Sequence, residues 1–387
     1  MIATPPGRDA PVVTIGIEEE LQVVDAAGAL AAHDFDRGRA EVPDRGGASS
    51  RELHRCVLEV KTPVCGSPDE AVASLAAMRE IAATRARAQG QRVLAAGLHP
   101  FSRWTDQPTW EDPALFPRFA RLLHDYADIL RGVLAFGMHV HLGCSRPALR
   151  MPVMNALRNV LPEILALSVS SPFSEGRDTG MACWRHGVLS RLPRAGIPAS
   201  WPDEAAYAAH VQRLRRTGCL QPEDALWEDL RLHHRFGTLE VRICDAAPSL
   251  DRVWLIAALL QAEVATLEAE VAAGNAPPPL ETALIEENKL RVCRHGLSAE
   301  LVDWHAERQL ALPARLWQWL DRLGPAARRL GTHDRLGTAL HQALQEGSFA
   351  QRQRAQHRRG DALAAIVDGL VAQTAAPLSL VAGAVPA

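Results

Sequence analysis

Residues 136–144 read FGMHVHLGC, and this stretch decides the fold. Glycines at 137 and 143 bracket a short apolar run that carries two imidazoles. Residues two apart in an extended strand point to the same face. His139 and His141 therefore share one face, and Met138, Val140 and Leu142 take the other. Taken alone, this pair fits hydrogen-bonded strand histidines as well as a metal site, since neutral imidazole is a common ligand. The other strands have to decide.

Three further segments show the same exception. In GIEEEL, Glu18 and Glu20 share a face while Glu19 points away. In RCVLEV, Glu59 sits inside an apolar run. In TLEVRICD, Glu240 and Arg242 share a face opposite Leu239, Val241 and Ile243. Buried carboxylates are costly unless paired or bound to metal. One such strand could face solvent, but several together mark a functional face, where local rules tend to fail.

The donor set is informative. Carboxylates with one or two histidines, and no clustered thiolates, suit Mg²⁺ or Mn²⁺ better than structural zinc. Glu18 and Glu20 stand about 7 Å apart at their Cα atoms, so they could hold two ions in one chamber. Arginine beside such ions suits a nucleotide phosphate or a transferring phosphoryl group. The chemistry implied is ATP-dependent phosphoryl transfer.

The 387 residues, 47% hydrophobic, are enough for one large domain or two intimate ones. A net charge of -3 gives no sign of a nucleic-acid surface. Lys61 and Lys289 are the only lysines in an arginine-rich chain, which reads as a composition bias. Cys56, Cys65, Cys144, Cys183, Cys219, Cys244 and Cys293 are scattered, so free thiols in a reducing compartment are expected. No secretory signal or membrane-length apolar run is present, which leads to the expectation of a cytoplasmic protein without membrane contact.

Residues 1–11 read as a loose tail, 12–375 as one catalytic domain that becomes mainly helical from about 280, and 376–387 as a second tail. A helix starts at Ser67 and Pro68 and ends at Gly90. Glu111 to Leu130 reads as helix, and Pro162 should kink or restart the helix that contains it. Residues 171–201 form a long loop of the kind that is often functional. Ser249 is a plausible N-cap for the helix that follows TLEVRICD. Strands and helices without regular βαβ alternation indicate an α+β fold with an antiparallel sheet.

Taken in order, TIGIEEELQVVD, LEVKTPVC, AAGLHPFSRW, FGMHVHLG, LPEILALSVSSPFSEGRDTG, FGTLEVRICDAAPSLDRVWLIAALLQA and CRHGL resemble the carboxylate–amine ligases, or type 2 glutamate–cysteine ligases. That family is related to glutamine synthetases. The resemblance implies a curved, mainly antiparallel sheet flooring a cleft, helices packed behind it, and metal-bound ATP in the cleft. By position, Glu18, Glu20, Glu59, His139 and Glu240 resemble metal ligands, and Arg242 a phosphate contact. His141 resembles a neighbouring polar residue rather than a metal ligand, one that orients substrate, nucleotide or a group beside the metal. Arg185 is expected to touch substrate or phosphate, although Cys183 stands where the family usually has serine. Arg231 is kept where Arg-Pro-Ser is usual, but Leu232 and His233 depart from it, and Arg294 also matches.

The implied reaction joins glutamate, through its γ-carboxylate, to cysteine, with ATP and Mg²⁺ (or Mn²⁺) as cofactors and only small molecules as partners; a homodimer is left open. A γ-glutamyl ligase for another amine, a metal-dependent amidohydrolase and a non-catalytic nucleotide binder are the alternatives. The amidohydrolase gives no role to E-x-E or E-x-R, and the non-catalytic reading predicts missing metal ligands.

Overall fold

The structure, a computed structural model, describes residues 13–34, 47–221, 224 and 226–379. The expected tail at 1–11 and the last eight residues of the expected C-terminal tail lie outside them. Strand β1 (Thr14–Val24) is central. Its residues alternate between buried and half-buried from Thr14 to Leu21, the period-2 pattern of a strand with one face on the core. The other sheet strands are β2 (Ala48–Arg51), β3 (Val57–Lys61), β4 (Arg92–Leu94), β5 (Gly137–Gly143), β8 (Leu230–His233) and β9 (Thr238–Asp245). Their order is β2-β3-β1-β5-β9-β8, with β4 also on β1, and every pairing is antiparallel. β6 (Phe173–Ser174) and β7 (Arg177–Asp178) form a separate small hairpin in the long loop.

The register sets the site. Glu20 lies opposite Glu59, Glu18 opposite His139, and His141 opposite Glu240. Between β5 and β9 the register shifts after Met138, so that Arg242 and Ile243 together oppose the single residue His139. A bulge of this kind bends a strand and re-aims its side chains.

Helices cover the back of the sheet. α1 (Pro68–Arg87) begins as the sequence predicts, with the Ser67 hydroxyl accepting from the Glu70 amide at 3.2 Å. α7 (Leu250–Ala272) is buried almost all round as far as Val264, which makes it the core helix of the molecule. Ser249 does occupy its N-cap position, but the hydroxyl makes no capping bond. α2 spans Pro117–Arg131, starting six residues later than expected. Asp112 folds the preceding residues into a turn by accepting from the Ala114 amide, and Pro117 then takes the first helical turn. Pro162 restarts the chain as expected, separating α3 (Arg150–Leu157) from α4 (Leu161–Ser168).

α5 (Arg185–Leu189) lies within the long loop, followed by α6 (Glu204–Arg216). The C-terminal part comprises α8 (Thr282–His295), α9 (Leu312–Arg329), α10 (His333–Glu346), α11 (Phe349–Arg358) and α12 (Leu363–Ala375). A hairpin of β10 (Glu300–Asp303) and β11 (Arg308–Ala311) interrupts this helical part, contrary to the sequence reading. Its turn carries no glycine or proline signal; the left-handed residue there is Glu307, at φ 49°.

Candidate active site

Five strands and the short helix α5 bring expected residues to one cleft. Glu18, Glu20, Glu59, His139, Arg185, Arg231 and Arg242 all line a cleft of about 610 Å³. Glu19, between two of them, turns to the back and is fully buried. There Arg79 of α1 grips it with two hydrogen bonds, at 2.7 and 2.6 Å.

Carboxylates crowd the cleft face. Glu18, Glu59 and His139 can place one ligand atom each within 4.8 Å of the others, and so can Glu18, His141 and Glu240. A third such group is Glu20, Glu52 and Glu59. Glu52, just beyond β2, was not legible in the sequence. It sits two residues past Ser50, which lies opposite Glu59 and donates a 2.6 Å hydrogen bond to it.

The electrostatics follow from this crowding. Burial, with repulsion from Glu59 and Glu20, raises the Glu52 carboxyl to about 8. Glu20 is raised to about 7 by burial, with Arg185 opposing the shift and Glu59 adding to it. It accepts a hydrogen bond from the Gly137 amide, at 2.5 Å. Burial pushes Glu18 up as well, but His139, His141 and Lys61 pull it well below the ordinary carboxylate range. His139 falls to about 3, through burial and the Arg242 charge, and is therefore a neutral imidazole at physiological pH. Neutral imidazole is the metal-binding form.

The cations are specific. Lys61 places its ammonium 2.6 Å from Glu59 and 3.3 Å from Glu18, between two of the carboxylates. Lys289 pairs with Asp229 at 2.7 Å on the cleft wall. Both lysines of the chain thus serve this region, a role that composition alone did not reveal. Arg242 pairs with Glu240 and donates to His139 Nδ1 at 3.3 Å. Arg231 grips Glu240 with bonds of 2.6 and 3.0 Å. Arg185, 3% exposed, lies against the carbonyls of Arg242 and Ile243. A side chain at 137 would collide with its guanidinium, which is why Gly137 is needed there. Arg294 is not brought in: it is exposed, and its guanidinium bonds to the Gly180 carbonyl.

Hard oxygen donors with imidazole nitrogen, partly uncompensated by arginine and lysine, fit a divalent cation. Beside them, Arg242, Arg231 and Arg185 offer a guanidinium wall suited to phosphate. Among the described residues no helix is long and apolar enough to cross a membrane.

The model of glutamate–cysteine ligase family 2 matches residues 14–368. A protein of Roseiflexus castenholzii named "putative glutamate–cysteine ligase 2" is 35% identical over 365 residues, covering 93% of this chain and 94% of its own. One of Rhodospirillum rubrum with the same name is 36% identical over 389 residues, covering 97% and 98%. Among solved structures, a glutamate–cysteine ligase of Francisella tularensis in complex with AMP superimposes with a TM-score of 0.62 at 13% identity, covering 94% of this chain and 92% of that one. A bifunctional glutathione synthetase of Pasteurella multocida gives 0.69 at 15% identity; the chain spans 94% of itself and 53% of that longer protein. These two structures share the fold. Matched by the family model over residues 14–368 and by relatives at 35–36% identity over more than nine-tenths of its length, the chain belongs to glutamate–cysteine ligase family 2.

Proposed function

We propose that this chain activates the γ-carboxylate of glutamate with ATP and joins it to cysteine. An oxygen of that carboxylate attacks the γ-phosphorus of ATP, the bond to the bridging oxygen breaks, and ADP leaves. The amine nitrogen then attacks the acyl carbon, phosphate departs with the bonding pair, and the nitrogen loses a proton. The observation that carries this reading is the convergence of Glu18, Glu20, Glu59, His139 and Glu240 on one side of the sheet, with Glu19 on the other.

Glu18, Glu20, Glu59, His139 and Glu240, joined by Glu52, would hold Mg²⁺ or Mn²⁺. When bound, such ions neutralise charge on the transferring phosphoryl group. Arg242 and Arg185 stabilise the same charge as it develops, because their guanidinium groups are already held in place. Arg231 and His141 face the nucleotide. Arg294 reaches nucleotide or substrate only if the loop that carries Gly180 moves. Residues 12–375 act as one catalytic domain on small molecules in the cytoplasm.

A ligase for a different amine is the second reading. Its support is the departure at Leu232 and His233, since His233 lines the cleft. Hydroxylamine tests the reaction without knowledge of the amine. Enzyme, Mg²⁺, ATP and glutamate should yield γ-glutamyl hydroxamate and ADP. AMP and pyrophosphate would reject phosphoryl transfer; hydroxamate from another acid would keep the reaction and discard glutamate.

A further inference from the structure

The two histidines of β5 differ in what their free nitrogens meet. His139 Nδ1 already accepts from Arg242. His141 is anchored on its other side: Nδ1 lies 2.9 Å from Thr238 Oγ1, on the neighbouring strand. If Nδ1 carries the proton and donates to threonine, the lone pair of Nε2 faces the Glu18 carboxylate. That nitrogen is buried, in a residue 7% exposed, and has no hydrogen-bond partner. Glu18 Oε1 lies 3.6 Å away, and as an acceptor it cannot serve a ring nitrogen that itself offers a lone pair. A buried acceptor left without a donor is costly, which makes an absent partner the simplest account.

We propose that His141 is itself a metal ligand, forming with Glu18 and Glu240 a second imidazole-bearing cation site beside that of Glu18, His139 and Glu59. The inference rests on the ligase reading for the presence of a divalent cation, but not for its chemistry. The three ligand atoms lie within 4.8 Å of one another. Glu240 Oε2 receives one hydrogen bond, from Arg231 Nε, and keeps a lone pair for a cation. Glu18 belongs to both groups: its Oε2 lies 3.6 Å from His139 Nδ1 and its Oε1 3.6 Å from His141 Nε2, so one oxygen faces each histidine. Thr238 plays the part that an outer partner plays at many metal-bound histidines, fixing tautomer and ring orientation. On the outer side the rings of His233 and Phe236 lie edge-on to His141, at 5.4 and 5.8 Å. They wall that side of the ring. Two nitrogen-bearing sites favour Mn²⁺ over Mg²⁺, which prefers oxygen and water.

The test titrates the protein with MnCl₂ alone and reads bound manganese by electron paramagnetic resonance, with spin-echo modulation reporting directly coordinated nitrogen. Labelling the wild-type protein with nitrogen-15 histidine assigns that modulation to imidazole. In His139→Gln, histidine modulation should persist; in the double variant with His141→Gln it should vanish. His141→Gln alone should lower the manganese stoichiometry by one ion. Thr238→Val should weaken that ion about tenfold while keeping its nitrogen signal, and covers the case in which a histidine variant does not fold. Loss of all histidine modulation in His139→Gln, or an unchanged stoichiometry in His141→Gln together with unchanged affinity in Thr238→Val, overturns the proposal. Manganese binding is read without turnover, so a failed hydroxamate assay would reject the ligase reading and leave this result standing.

Discussion

Three consecutive glutamates of β1 meet two different environments. Behind the sheet, Glu19 is wholly buried and held by both forks of Arg79, whose remaining donors go to the carbonyls of Ala247, Pro248 and Thr374. One charge meets one charge, and the hydrogen bonds are filled. In front, Glu18 and Glu20 join Glu52, Glu59 and Glu240, with Lys61 lodged between Glu18 and Glu59. The carboxyls of Glu20 and Glu52 are pushed above their ordinary range because burial and like charge outweigh the cations nearby. A matched buried pair holds the fold; a mismatched one is arranged to receive a cation.

The comparison predicts opposite phenotypes on the two faces. Glu59→Gln should lower glutamate-dependent ADP release by at least about 10³-fold, since cation stabilisation of the phosphoryl group is worth several kcal/mol. Its urea midpoint should hold or rise, because a repelling charge is removed. A large loss of stability in that variant would erase the distinction. Arg79→Met should do the reverse. Stranding Glu19 costs about 3–5 kcal/mol in urea unfolding, while the folded enzyme keeps its turnover number.

Mg²⁺ sharpens the contrast. At about 100 times its dissociation constant it should stabilise the wild type by ~2.7 kcal/mol. Calorimetry should find this gain in Arg79→Met and a much smaller one in Glu59→Gln. Equal gains in both would place the ions elsewhere. The smallest effect belongs to Lys61, whose side chain is one third exposed. As a stand-in cation it competes with metal, so Lys61→Met should tighten Mg²⁺ binding without nucleotide by roughly 1.5- to 5-fold, the range of an exposed ion pair. Weaker binding would make the lysine an ally of the metal.

The central strands were legible because their buried and polar residues alternate, and β1, β5 and β9 carry the motifs whole. What escaped the reading depends on neighbours distant in sequence. Glu52 follows a four-residue strand, ASSR, too short to show a period, whose pairing with β3 brings it to the site. Spacing put His139 and His141 on one face but could not give their different partners, Arg242 and Thr238, which belong to a strand a hundred residues on. The β10–β11 hairpin was hidden because its turn uses Glu307 in place of glycine. Arg294 matched by motif, yet its guanidinium is held at Gly180.

The strand order carries a consequence for how the protein is made. β1 leaves the ribosome long before its partner β5, more than a hundred residues downstream, and Glu240 on β9 follows a hundred residues later. Until then β1 has only β3 and β4 beside it, and pairings between more distant segments form slowly. An incomplete chain lacks the last ligand strand and the helix that covers the back. Tight cation binding is therefore a late event, one that marks a finished chain and draws the nascent protein toward its native register.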